Sequence, residues 1–249
     1  MNIRKHIPNT ITSMNLLSGT LGVIMTFQGH LDWAFYLMIA AAVFDFCDGL
    51  SARMLGAYSP MGKELDSLAD MVSFGVLPSM MLYKYMDANT GFGFLMYLPL
   101  MIAVFSGLRL AKFNIDERQT ENFIGLATPS CAMICASMMC YVSHEPDSIV
   151  AAIAQAKWFL PVMSVILALL LVSEIPMFGM KIKKSEGAAK KIEWRGYNLL
   201  RLIFAICFAA SVIVTIALHT HWSLIIFLTF ICYLIINILH WLIKSIIKK

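Results

Sequence analysis

Residues 45–70 read DFCDGLSARMLGAYSPMGKELDSLAD, and the four aspartates in this stretch decide how the chain is read. Asp45 and Asp48 are three residues apart, and Asp66 and Asp70 are four apart. On a helix each pair falls on one face, with Gly62 one turn before Asp66 on the same side. The flanks are apolar: LMIAAAVF precedes Asp45 and MVSFGVLP follows Asp70. An aspartate at the centre of a membrane helix costs about 2.5–3.5 kcal/mol, so four unpaired ones cost on the order of 10 kcal/mol. Within the stretch only Arg53 and Lys63 oppose them. Bound cations supply the remainder, because hard divalent ions take carboxylate oxygens and converging carboxylates can hold two.

Working outward, 59% of the 249 residues are hydrophobic and the mean hydropathy is +0.76, well above the 45–50% apolar content typical of soluble domains. The expected fold is all-α: one polytopic membrane bundle over residues 1–249, with a catalytic core in 1–145 and further membrane helices in 146–249. Eight spans are predicted, at 11–28, 32–54, 63–86, 93–115, 127–143, 157–177, 198–218 and 222–243, most near the ~20 residues a bilayer requires. The second carries Asp45, Asp48 and Arg53 near its end, and the third carries Asp66 and Asp70 near its start. All four carboxylates are thus expected at one membrane face, around a turn at 56–60. With both termini in the cytoplasm, every basic residue except Lys84 and Lys157 falls on an inner segment, the bias of a positive-inside topology. It puts the aspartates on the cytoplasmic face of the cell's inner or plasma membrane. No cleavable leader is evident in the start, MNIRKHIPNT.

The spacing fits D-x2-D-G-x2-A-R-x8-G-x3-D-x3-D at every fixed position: Asp45, Asp48, Gly49, Ala52, Arg53, Gly62, Asp66 and Asp70. This resembles the signature of the CDP-alcohol phosphotransferases, integral membrane enzymes of phospholipid synthesis. The resemblance implies transfer of a phosphatidyl group from a CDP-linked lipid to an alcohol, with release of CMP. It implies two divalent cations, Mg2+ or Mn2+, held by Asp45, Asp48, Asp66 and Asp70, and it makes Asp70 the candidate base for the acceptor hydroxyl. Gly49, Ala52, Arg53 and Gly62 are implied at the CDP-lipid site. Taken alone, Gly49 and Ala52 would suit ordinary small-residue helix packing; within the full spacing they suit close approach of the cytidine diphosphate.

Further strings resemble the serine branch of that family: PNTITSMNLLSG at the start, SFGVLP after Asp70, LRLAKFN at 108–114 and FIGLATPS at 123–130. Lys112 stands where that branch usually has arginine, Ala127 where it has proline, and Ser130 where it has alanine. Arg109, Lys112 and Asn114 are therefore candidates for serine or phosphate binding, Arg109 because its fork pairs with carboxylates and phosphates. Snorkelling at the interface would explain Arg109 and Lys112 equally well. Thr10 or Asn9 is expected to cap the first helix, with Asn15 and Gly19 in close packing. The implied substrates are CDP-diacylglycerol and L-serine, the implied partners membrane lipids and a second copy of the chain, with no nucleic acid. The same chemistry on glycerol 3-phosphate or inositol phosphate, or with an archaeal ether-lipid donor, is the near alternative. A carboxylate-based ion transporter is the alternative of another class, but it would place its carboxylates near the midplane on interrupted helices. The six cysteines lie in apolar segments and are expected as buried hydrophobes, without zinc or disulfides. His219 and His221 flank an outer turn and lack a third ligand nearby in sequence.

Overall fold

A computed structural model describes residues 6–89, 91–115, 123–178 and 197–247. The basic loop at 181–195 and Arg4, Lys5, Arg118, Lys248 and Lys249, which contribute to the charge bias, lie outside the described residues.

Helix α1 (His6–Phe27) turns a face of small and polar residues inward: Asn15, Ser18, Gly19, Gly22 and Thr26 are buried. The absence of side chains there lets neighbours approach closely. A Cβ on Gly19 would lie 2.8 Å from the Cα of Ser73, and one on Gly22 would lie 2.6 Å from Leu77. Helix α2 (Leu31–Leu55) stops at Gly56, whose φ of 59° is the left-handed conformation glycine adopts freely. Ser59 then caps α3 (Pro60–Asp70), accepting the Gly62 amide at 3.0 Å, with Pro60 at the first helical position. This tight reversal returns the chain beside the end of α2.

Instead of running straight on from α3, the helix widens into a π-helical segment at Met71–Val76 before resuming as α4 (Leu77–Ala88). The widened turn is wedged between α1 and the next long helix. Ser73 Oγ donates to the Asn15 carbonyl at 3.1 Å, and a Cβ on Gly75 would sit 2.9 Å from Ser106. Such insertions concentrate at functional sites, and this one begins directly after Asp70. A short 3-10 turn (Gly93–Tyr97) leads into α5 (Leu100–Ile115).

Helix α6 (Thr128–His144) occupies the centre. Ile134 to Val142 are all buried, as expected of a helix apolar on every side. Helices α7 (Ile149–Gln155) and α8 (Phe159–Val172) follow, bent by 85° to one another. A two-residue antiparallel bridge, β1 (Phe123–Ile124) with β2 (Pro176–Met177), ties the approach of α6 to the exit of α8. Helices α9 (Tyr197–Ala217) and α10 (Ser223–Ile247) close the chain. Their large apolar side chains point outward, Ile206, Ile213, Ile216 and Ile246 each more than half exposed. That is the surface of a protein bathed in lipid rather than water.

The architecture is therefore helical and multi-pass, with the span count lower than expected. Among the described residues six helices are long and apolar enough to cross a membrane, and α7 with α8 makes a seventh if the bent pair is one crossing. The fifth expected span, 127–143, is α6, only 17 residues long. The sixth, 157–177, is shortened to α8, 14 residues ending at Val172, because Ser173 leaves the helical conformation. Conversely the third begins earlier, at Pro60, and carries the unexpected π-helical segment.

The Gly19 contact gives a direct test of this packing. Gly19→Ala is expected to cost roughly 1–3 kcal/mol through overpacking against Ser73. It should appear as a lower midpoint of thermal unfolding in detergent.

Candidate active site

The hairpin between α2 and α3 brings Asp45, Asp48 and Asp66 together: one carboxylate oxygen from each lies within 4.8 Å of the other two. Asp48 is only 5% exposed. Among the described residues no cation stands within ion-pairing distance of these carboxylates. Oxygen Oδ2 of Asp48 and Oδ1 of Asp66 are buried and lack any hydrogen-bond partner. Buried carboxylate oxygens left without donors are costly, and a divalent cation is what this donor set fits: hard oxygen ligands, crowded negative charge and unsatisfied lone pairs. The sequence-derived set of four is thus split by the structure. Asp70, one turn beyond Asp66, is not within that mutual distance. Its Oδ1 instead accepts a hydrogen bond from Asn15 Nδ2 at 3.3 Å.

Asn15 was expected only as a packing residue. In the structure it is fully buried on α1, aimed at Asp70, with its own Oδ1 unpartnered. Its signal in the sequence was a polar amide seven residues beyond Pro8 on a helix of otherwise membrane character. Because Ser73 holds the main-chain carbonyl of Asn15 and not its amide group, Asn15→Ala should leave α1 seated. We expect it to lower kcat roughly 10–100-fold, the usual range for a residue that orients a site group, with the KM for the CDP-lipid unchanged.

The remaining candidates fall into two groups. Gly49 faces open space, with only Arg53 Nη2 at 3.9 Å from a Cβ built upon it, and Ala52 is half-buried beside it. This flank of the aspartates can admit a planar or phosphorylated group. Gly62 is crowded instead: a Cβ there would lie 3.0 Å from both Asn9 Oδ1 and Ser59 Oγ. Arg53 is exposed and does not reach the aspartates; its Nε donates to the Gly49 carbonyl at 2.9 Å.

On α5, Arg109 is 8% exposed and so is not an interfacial anchor. Its Nη1 donates to Thr128 Oγ1 at 2.9 Å, its guanidinium lies 5.9 Å from the Phe113 ring centre, and its Nε is buried without a partner. Asp70 is the first-ranked carboxylate acting on it electrostatically. A buried guanidinium with a free N–H beside a carboxylate site is suited to an anionic ligand. Lys112 is half-buried on the same helix. Asn114 is engaged structurally: its Nδ2 donates to Ser67 Oγ at 2.9 Å, and its carbonyl accepts from Lys63 Nζ at 2.9 Å. It clamps the end of α5 to α3 next to Asp66.

The comparisons with known proteins agree with this site. A protein from Bacillus subtilis named CDP-diacylglycerol–serine O-phosphatidyltransferase is 39% identical over 129 residues, 51% of this chain and 72% of that protein. One of the same name from Helicobacter pylori is 30% identical over 240 residues, 94% of this chain and 90% of its own length. An archaetidylserine synthase from Methanothermobacter thermautotrophicus is 35% identical over 134 residues, 53% of this chain and 56% of that protein. The family model for CDP-alcohol phosphatidyltransferase matches residues 5–182, which takes in α1, the aspartate hairpin, the π-helical segment, Arg109 and all of α6. Residues and comparisons together place the chain in the CDP-alcohol phosphatidyltransferase family.

Proposed function

We propose that the chain transfers the phosphatidyl group of CDP-diacylglycerol to the hydroxyl of L-serine, giving phosphatidylserine and CMP. The observation that carries this is the convergence of Asp45, Asp48 and Asp66 with unpartnered oxygens, beside the open flank at Gly49. The acceptor is supported by the names of the relatives from Bacillus subtilis and Helicobacter pylori.

In this reading the three aspartates, joined by Asp70 on its free oxygen, hold two divalent cations, Mg2+ or Mn2+. When bound, these ions neutralise the diphosphate and stabilise the departing phosphate. Gly49 and Ala52 let the cytidine diphosphate lie against α2, with Arg53 turning from its own helix to the phosphates. Gly62 keeps α3 close to α1. Arg109 and Lys112 receive the serine carboxylate, and Asn114 fixes the wall they stand on. Asp70, oriented by Asn15, takes the proton of the serine hydroxyl. The serine oxygen forms a bond to the lipid-side phosphorus, the bond from that phosphorus to the bridging diphosphate oxygen breaks, and CMP leaves.

The site lies at the cytoplasmic face of the inner membrane, with both termini on that side. For that, α6 crosses in spite of its 17 residues, giving eight crossings in all. The protein works as a homodimer. Similarity to the archaetidylserine synthase favours a second reading, in which the donor carries ether-linked chains. Isotope-labelled serine supplied with diacyl or ether CDP-lipid tests both. Label is expected in phosphatidylserine from the diacyl donor. Preference for the ether donor would select the second reading, and label in neither lipid would contradict both.

A further inference from the structure

A second cluster of metal-ligating side chains lies at the far end of the bundle from the aspartates. Cys140 and His144 stand one turn apart at the end of α6, and His221 comes from the turn between α9 and α10. One ligand atom from each lies within 4.8 Å of the other two. Seventeen residues of α6 separate Thr128, which touches Arg109, from His144, a length of about 25 Å at 1.5 Å per residue. The cluster is therefore separate from the site of phosphatidyl transfer. No local pattern in the sequence announces it, since His221 is far from the other two along the chain.

We propose that Cys140, His144 and His221 form a binding site for a thiophilic divalent cation of the Zn2+ class, which staples the α9–α10 hairpin to the central helix. The donor set is the first argument. One thiol with two imidazoles selects zinc-like ions over the Mg2+ or Mn2+ that carboxylates prefer. The arrangement of the rings is the second. Nδ1 of His144 lies 3.0 Å from the Cys140 carbonyl, and Nδ1 of His221 lies 2.9 Å from Ser223 Oγ. Ligating histidines hold their other ring nitrogen in this way, which leaves Nε2 as the metal ligand. His221 Nε2 has only Tyr36 Oη at 3.5 Å, too long for a strong hydrogen bond.

Access and charge are the third argument. Cys140 is buried, while His221 is half-exposed and His144 exposed, so an ion can enter from the surface. Asp32 and Glu145 are the carboxylates acting on His221, and either can balance the charge or complete the coordination. Without metal the two imidazoles stack, their centres 3.9 Å apart and their planes 11° apart. Binding turns the rings out of that stack and draws the ligand atoms to roughly 3.3–3.6 Å, the spacing around a tetrahedral zinc. The Cys140 proton passes to solvent as the thiolate forms.

Co2+ is the probe, because a thiolate ligand gives it a charge-transfer absorption in the near ultraviolet that carboxylates do not. The whole protein, purified in detergent and stripped with chelator, should bind one equivalent of Co2+ with that absorption. Zn2+ should displace it and raise the unfolding midpoint by roughly 5 °C when well above its dissociation constant. Cys140→Ser should abolish the absorption, and His144→Gln and His221→Gln should each weaken Co2+ binding at least tenfold. CMP release by each variant reports that the bundle has folded. Absence of the absorption in active wild-type protein would overturn the proposal, as would its survival in active Cys140→Ser protein. If Cys140→Ser fails to fold, the histidine variants decide: unchanged Co2+ affinity in both would overturn it equally.

Discussion

Asp48→Asn is expected to remove nearly all CMP release, by roughly a thousandfold or more at fixed metal concentration. Asp48 is the most deeply buried member of the carboxylate trio, and its Oδ2 has no protein partner. The substitution keeps shape and volume but replaces a charged oxygen ligand with a neutral amide. A Lewis-acid site contributes several kcal/mol to stabilising the transition state, and each 1.36 kcal/mol is a factor of ten in rate. Part of the loss should return as Mg2+ or Mn2+ is raised, because affinity for the ion is what the substitution weakens. The check is a metal titration of initial rates for wild type and variant, with a midpoint displaced to higher metal in the variant. The variant should also fold at least as well as wild type without metal, since it removes one of several crowded negative charges.

Asp70→Asn should give a loss of similar size for a different reason. Asp70 sits outside the mutual contact of the other three and is held by Asn15. A positioned general base contributes about 10²–10⁴-fold. The asparagine oxygen can still accept from Asn15, so the local geometry should persist. We expect kcat to fall by that factor while the metal midpoint and the KM for the CDP-lipid stay within a few-fold of wild type. A metal midpoint displaced as far as that of Asp48→Asn would identify Asp70 as a metal ligand instead of the base. The pair of titrations therefore divides the four aspartates by role.

The aspartate hairpin was legible in the sequence because it is local. Helical spacing sets Asp45 with Asp48 on one face and Asp66 with Asp70 on another, and Gly56, Ser59 and Pro60 write the reversal between them. The helical, membrane-embedded class was legible from apolar runs alone. What escaped was decided by contacts distant in sequence. Nothing local distinguishes α6, the buried centre, from α9 and α10, which face lipid, because all three are apolar. Arg109 looked like an interfacial anchor until Thr128, nineteen residues on, proved to be its partner inside the bundle. The π-helical turn at Met71–Val76 arises from wedging Ser73 against α1 and Gly75 against α5, a demand of tertiary packing with no sequence period of its own. Asn15 on Asp70 and His221 on His144 are likewise pairings that only the fold brings about.

The central claim is that the converging aspartates are a metal-dependent phosphatidyl-transfer centre. It is tested most directly by CMP release from CDP-diacylglycerol and serine with purified protein, before and after removal of divalent ions by chelator. The account predicts turnover that stops with chelator, returns with Mg2+ or Mn2+, and is absent from Asp48→Asn under the same conditions. Turnover that continues unchanged in chelator, or that Asp48→Asn retains in full, would contradict it.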